Sequence, residues 1–416
     1  MLDGVYFSRI TDKRFKTNQI TVNFYNDFDA DSRADYSVAS YILSDSCNKY
    51  PQYKELSARL LELYNATLTS NTVFSAWDQR CITLNASILD NAYALDGENL
   101  EAEICDIIRE CLIYPNIENG VFSESVVSLM KSEVIDAIDS IVNDKATYAA
   151  QNANKTAYCG EPSERSPLGL RSEVENVTPQ SAYNAYRKIL ETSRIEIFAS
   201  GCSEFKDAKA IFSDMFSDIA RHDICRLTTS PSPLKPKPEY AADTLPMEQA
   251  ILRMYFKAPE CKDREARGLL AMILGGMSTS RFFENIREQQ SLCYYCSCFS
   301  NKYKRTLTAY AGVEPYNVEQ CKNAILSELS DISQNGVSEE ELRTAKLEYF
   351  NRISTIYDSQ TAMISWYLNQ LTDEEFFTPE EYYNRIEAVT SDRIKAAAAM
   401  FSLDTVYTLS GEEATE

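Results

Sequence analysis

Residues able to do chemistry are unevenly supplied. His222 is the sole histidine among 416 residues, so no pair of imidazoles exists to hold a zinc ion. No nucleophile or carboxylate partner accompanies it in sequence, and it reads as a surface residue near a helix end. Of the twelve cysteines, Cys293, Cys296 and Cys298 have C-x-x-C-x-C spacing. A structural zinc site takes four ligands, usually from two paired loops, and no second pair stands nearby. Alternating strand positions account for these three. Asp136, Asp139 and Asp144 could offer oxygens to a hard cation, but such charge on a helix reads as a solvated face. Gly275 and Gly276 fit neither G-x-G-x-x-G nor P-loop spacing and read as a helix end permitting a close turn. No metal or cofactor is expected in this chain.

Composition narrows the partners. The formal net charge of −21 opposes phosphate backbones and anionic lipid, which require clustered Lys and Arg. The start MLDGVYFSRITDKRF has no apolar core behind a basic stretch, and no segment has the apolar length of a membrane span. A cytoplasmic protein with reduced thiols, without membrane or nucleic-acid partners, is the expectation. Apolar residues at 44% and charged residues at 25% are ordinary for a folded globular chain, and the length favours two domains.

Hydrophobic periodicity places the elements. Period-two alternation predicts strands at Gln19–Phe24, Cys81–Leu89 and Arg194–Gly201, and three-and-four spacing predicts helices at Tyr36–Leu43, Glu55–Tyr64, Leu100–Leu112, Glu124–Ile141 and Pro179–Leu190. Thr228–Pro246, with five prolines and few large apolar residues, reads as an extended connector. Beyond it the order repeats. Strand Ala250–Phe256, helix Glu265–Leu274, strand Thr306–Val313, helices Val318–Ile332 and Glu339–Ile356, and a closing strand Thr405–Gly411 answer the first half. The reading is a domain at 1–227, a linker at 228–246 and a domain at 247–416, each α+β with a mostly antiparallel sheet covered by helices.

Leu274–Phe299, LGGMSTSRFFENIREQQSLCYYCSCF, resembles a stretch of the insulinase, pitrilysin and mitochondrial processing peptidase (M16) superfamily: two glycines after a helix, small hydroxyl residues, Arg-Phe-Phe, Ile-Arg-Glu and Leu-x-Tyr. TLTAYAGVEPYNVEQCKNAI is similar to the strand and helix that follow there, and DKRFKTNQITVNFYNDF to the first strand of paired bacterial members. The resemblance implies two tandem homologous domains of the LuxS/MPP-like metallohydrolase type. It also implies that Arg287 and Tyr294 face a peptide beside the zinc. The inverted zinc motif H-x-x-E-H is missing: the corresponding helix reads SVASYILSDSCNKYP, with Ser40, Tyr41, Ser44 and Asp45 near the ligand and base positions. The family's later ligand glutamate falls near Ala137–Asp139 and has no match.

The resemblance therefore implies a catalytically incomplete subunit, inert alone. It would bind peptide, and its Arg287 and Tyr294 would contact substrate and oxyanion in trans, completing the site of a zinc-bearing M16-like partner that carries H-x-x-E-H. The alternative is a non-proteolytic structural or peptide-binding scaffold, with a homodimer as a further assembly in isolation. Bacterial chains associated with the aminopentanol modification of elongation factor P share the resemblance.

Overall fold

The computed structural model describes residues 2–29, 31–74 and 78–411. The chain forms two compact units. The first comprises Met1–Ser140, Ser166–Thr228 and Ser359–Leu371; the second comprises Ile141–Arg165, Thr229–Asp358 and Thr372–Glu416. Each half of the chain thus lends a short segment to the unit built mainly by the other. Among the described residues no helix is long and apolar enough to cross a membrane.

The first unit is built on strands β1 (Val5–Thr11), β2 (Thr17–Asn26), β3 (Thr67–Phe74) and β4 (Arg80–Leu89), a small hairpin of β5 (Ile117–Glu118) and β6 (Val121–Phe122), and β7 (Arg194–Gly201). The main sheet has the order β1-β7-β2-β4-β3, and only β1 and β7 pair in parallel. β2 is buried over nearly its whole length, as suits a central strand covered on both faces. Val22, Phe24, Ile82, Leu84, Ile195 and Ile197 enter the core. Helix Leu100–Ile113 adds Ile104, Ile107 and Ile108, and the Asn99 side chain accepts the amide of Ala102 at its start, satisfying a donor the first turn leaves open. Helix Gln360–Leu368 is anchored at its start by Gln360 and Thr361, the Thr361 hydroxyl donating to the Gln19 side-chain oxygen. The Gln360 amide donates to the carbonyls of Thr17 and Ser200 at 2.9 and 2.7 Å, and its oxygen accepts from the Thr17 hydroxyl.

The second unit repeats the plan. Strands β8 (Glu239–Thr244), β9 (Ala250–Lys257), β10 (Tyr295–Asn301), β11 (Thr306–Val313) and β12 (Ser402–Ser410) take the order β10-β11-β9-β12-β8, with only β12 and β8 parallel. Read from the other edge, this is the strand order of the first sheet. The expected architecture of two α+β units with mostly antiparallel sheets is therefore present. The proline-rich segment is a connector only in part: Glu239–Thr244 pairs with β12 as an edge strand, its side chains mostly exposed.

Helix Lys145–Ala157 packs on this second sheet. Asp144 caps it by accepting the amides of Ala146 and Thr147. Ala149, Ala153 and Ala157, spaced by four, meet Ile251, Tyr255, Tyr407 and Leu409; small side chains on one helical stripe permit a close approach. At its C-terminal end the carbonyl of Ala157 accepts from the Lys257 ammonium, a cation favoured there by the unpaired carbonyls.

Candidate functional site

The family-like stretch Leu274–Phe299 lies within the second unit, and its residues divide into those that build and those that face out. Helix Arg264–Ala271 is capped by Asp263, which also holds Arg393 through two contacts of 2.8 Å. It runs into a wide π-type turn, Met272–Gly276. A Cβ on Gly275 would sit 2.4 Å from the backbone nitrogen of Cys298 and 2.7 Å from the carbonyl carbon of Ser297, so glycine serves here to let the turn press against β10. Arg281 is anchored by Glu341 and Asp331, each at 2.6 Å. Phe282 and Ile286 are buried. The Arg-Phe and Ile positions of the motif are therefore structural.

Arg287 and Tyr294 behave differently. Arg287 lies on a second π-type segment, Phe282–Gln289, a geometry frequent at functional sites. Its side chain is 41% exposed, with the guanidinium 4.7 Å above the Phe283 ring. Tyr294 precedes β10, its amide donating to Gly312 at 2.8 Å, while its ring remains 49% exposed. The hydroxyl donates to Glu314, and this bond raises the phenol above its ordinary pKa. A shallow groove of about 350 Å³ is lined by Gly275, Ser278, Phe283, Arg287, Tyr295 and Arg352. The groove includes Arg287 and Tyr295, whereas Tyr294 is not among its lining residues. A larger concavity of about 690 Å³ lies in the first unit beside Arg109, Tyr186 and Asp214 and holds neither sequence-predicted residue.

The helix that would carry the zinc motif, Arg33–Ile42, is a packing element. Ser40 is fully buried, donating to the Ser37 carbonyl and accepting from the Thr72 hydroxyl at 2.6 Å. Tyr41, Ser44 and Asp45 are half-buried, and burial pushes the Asp45 carboxyl up. These side chains do not suit zinc: the only ionisable oxygens are the Asp45 carboxylate and a phenol raised by its own burial. The acidic helix is equally accounted for. Asp139 pairs with Arg171, Asp144 is a cap, and Asp136 is exposed. His222 is exposed, and its backbone amide donates to Glu191.

The cysteines depart from the sequence expectation. Among the described residues, the one group of three or more potential ligand side chains with converging donor atoms is Cys293, Cys296 and Cys321, whose sulfurs lie within 4.8 Å of one another. Cys298, although buried on the same strand, is not part of it. Hydrogen bonds from Cys296 and Cys321, with help from the charge of Arg287, draw the Cys293 thiol down to about 4. Cys321 sits in helix Val318–Asn335, far from the C-x-x-C pair in sequence. No spacing rule could have joined them, because their meeting depends on how that helix packs.

With two sheets of one topology, a glycine turn against β10 and a motif helix without imidazoles, the chain is similar to M16 peptidase-like proteins, by a family model over part of its length and by a relative over most of it. Residues 176–349 match the family model of the peptidase M16 inactive domain. "Probable inactive metalloprotease YmfF" of Bacillus subtilis (strain 168) is 20% identical over 404 residues, covering 96% of this chain and 94% of the relative. A conserved protein from Enterococcus faecalis V583 superposes with a TM-score of 0.89 at 24% identity, over 100% of this chain and 99% of that one. The peptidase M16 inactive domain from Pseudomonas fluorescens does so with a TM-score of 0.78 at 15% identity, over 100% and 98%. At these identities the two structures establish the fold alone.

Proposed function

We propose that this chain is the member of a two-chain peptidase that lacks the catalytic zinc motif, presenting Arg287 and Tyr294 to a peptide held beside the zinc of an H-x-x-E-H partner. The observation that carries this reading is the contrast within one stretch: Arg281, Phe282 and Ile286 are spent on packing, while Arg287 and Tyr294 stay accessible beside an edge strand. The partner's zinc ion would polarise the scissile carbonyl and activate water; the helix of this chain that corresponds to the zinc motif carries no histidine to hold such an ion. What the chain offers is donors. The guanidinium can bind a peptide carbonyl, and the phenol can donate to an oxyanion. An extended peptide adds as a strand at a sheet edge, and β10 ends the second sheet. The phenol has one proton, so a peptide oxygen must displace Glu314 to receive it. That competition, with Arg287 resting on Phe283, favours the scaffold as the second reading.

The test is peptide hydrolysis with zinc by this chain alone, by an H-x-x-E-H partner alone and by the mixture. Activity should appear only in the mixture. Arg287→Ala and Tyr294→Phe should each lower kcat/KM by about 10- to 100-fold, the range of a lost charged or oxyanion hydrogen bond. A stable, active complex indifferent to both substitutions would leave only the scaffold.

A further inference from the structure

We infer that Cys293, Cys296 and Cys321 form a binding site for one thiophilic d¹⁰ metal ion, Zn(II) or Cu(I), in the second unit. The three side chains come from three pieces of backbone: the turn that follows Ser291, whose φ is +53°, the second residue of β10, and the first turns of helix Val318–Asn335. All three are free thiols, Cys296 and Cys321 buried and Cys293 half-buried. A disulfide joins two sulfurs and leaves the third without a purpose. A metal uses all three. With metal–sulfur bonds of about 2.3 Å, tetrahedral or trigonal coordination sets sulfur–sulfur separations of about 3.8–4.0 Å, within the 4.8 Å limit that the three atoms already meet.

Thiolate ligands select zinc and Cu(I) over the hard cations. The C-x-x-C pair supplies one ligand from the turn and one from β10, the helix supplies the third, and no His, Asp or Glu joins the group among the described residues. Zinc would therefore keep one position for water or an outside ligand, whereas Cu(I) would be satisfied by three sulfurs. Each sulfur binds as a thiolate, so any of the three still protonated releases its proton as the ion binds. The stretch from Cys293 to Cys296 also carries Tyr294 and Tyr295, but the site stands on the thiols and does not depend on the peptidase reading.

The experiment uses the full chain, reduced and stripped with a chelator, titrated anaerobically with Co(II) as a spectroscopic probe, then with Zn(II) as competitor. A separate arm transfers Cu(I) from a chromogenic chelator. One equivalent of Co(II) should give the intense visible bands of a tetrahedral thiolate site with sulfur charge transfer in the near ultraviolet, and Zn(II) should abolish them. If only Cu(I) binds stoichiometrically, the trigonal form of the site is the correct one. Cys293→Ser and Cys321→Ser should each remove stoichiometric binding, while Cys298→Ser, a buried thiol of the same strand, should retain it. Cys293 is half-buried, so its variant keeps the fold where Cys321→Ser fails to; circular dichroism establishes this. Absence of stoichiometric uptake of all three ions by the folded, reduced chain, or equal loss in Cys298→Ser, overturns the site.

Discussion

Asp404→Ala should lower the unfolding free energy of the second unit by about 3–5 kcal/mol, the cost of leaving a buried charge without its partner. The Lys257 and Asp404 side chains are 2% and 0% exposed and lie 3.3 Å apart. The carboxylate also accepts the Lys235 amide at 2.9 Å and the Thr405 hydroxyl at 2.8 Å. Without it, the Lys257 ammonium keeps the carbonyls of Ala157 and Pro233, the Tyr158 ring at 5.5 Å and the more distant charge of Glu161. Burial already pushes Lys257 below its ordinary pKa, and Asp404 is the first group that opposes this. Removing Asp404 lowers the folded value further while the unfolded value stays near about 10.4. Between the two, the unfolded chain binds more protons, so stability rises with pH. The deficit of Asp404→Ala should therefore be largest near neutrality and narrow as pH rises toward that unfolded value. Urea unfolding at both ends of this range should show a shifted midpoint at constant slope. A variant that also carries Lys257→Met should regain most of the loss, because no lone charge is left buried. A pH-independent deficit, or no recovery in the double variant, would contradict this account.

The legibility of this fold in sequence follows burial. β2, β4, β7, β9, β11 and β12 are interior strands, and their alternating or continuous apolar runs place them correctly. β1, β3 and β8 escaped, and all three are edge strands. VYFSRIT and EYAADT leave most side chains exposed or half-exposed, so little hydrophobic period remains to read, and polar edges are the common solution to unpaired backbone. Helix Lys145–Ala157 escaped for another reason: its apolar stripe is alanine, which carries weak hydrophobic signal yet fits a close contact. The units that short segments join depend on which sheet accepts them, as the Gln360 bonds to Thr17 and Ser200 show, and such pairing has no local signature. Near the groove, the motif pointed to Arg287 and Tyr294, whose role is the proposal made above. It did not point to Glu314 or Cys321, since each reaches its place through the packing of another element.

Phe282→Ala should cost about 3–5 kcal/mol, the range for removing a buried phenylalanine that the surroundings cannot refill. The ring is fully buried and touches the space beside Gly275, where an added Cβ would meet its Cδ2 at 2.7 Å. Gly275→Ala should cost about 1–3 kcal/mol by overpacking. It is tempting to expect the first change to accommodate the second. The distances argue otherwise: the nearest atom to that Cβ is the backbone nitrogen of Cys298 at 2.4 Å, and the Ser297 carbonyl carbon is as close as the ring. Truncating Phe282 removes one of three obstacles and leaves the two that cannot rotate away. In a double-mutant cycle by urea unfolding, the Gly275→Ala penalty should persist in the Phe282→Ala background, with only a minor part recovered. Disappearance of the penalty there would mean that the ring, not β10, dictates glycine. Persistence means that the glycine turn sets the seat of β10 itself, and with it the position of Cys296 and of the tyrosines that lead into the strand.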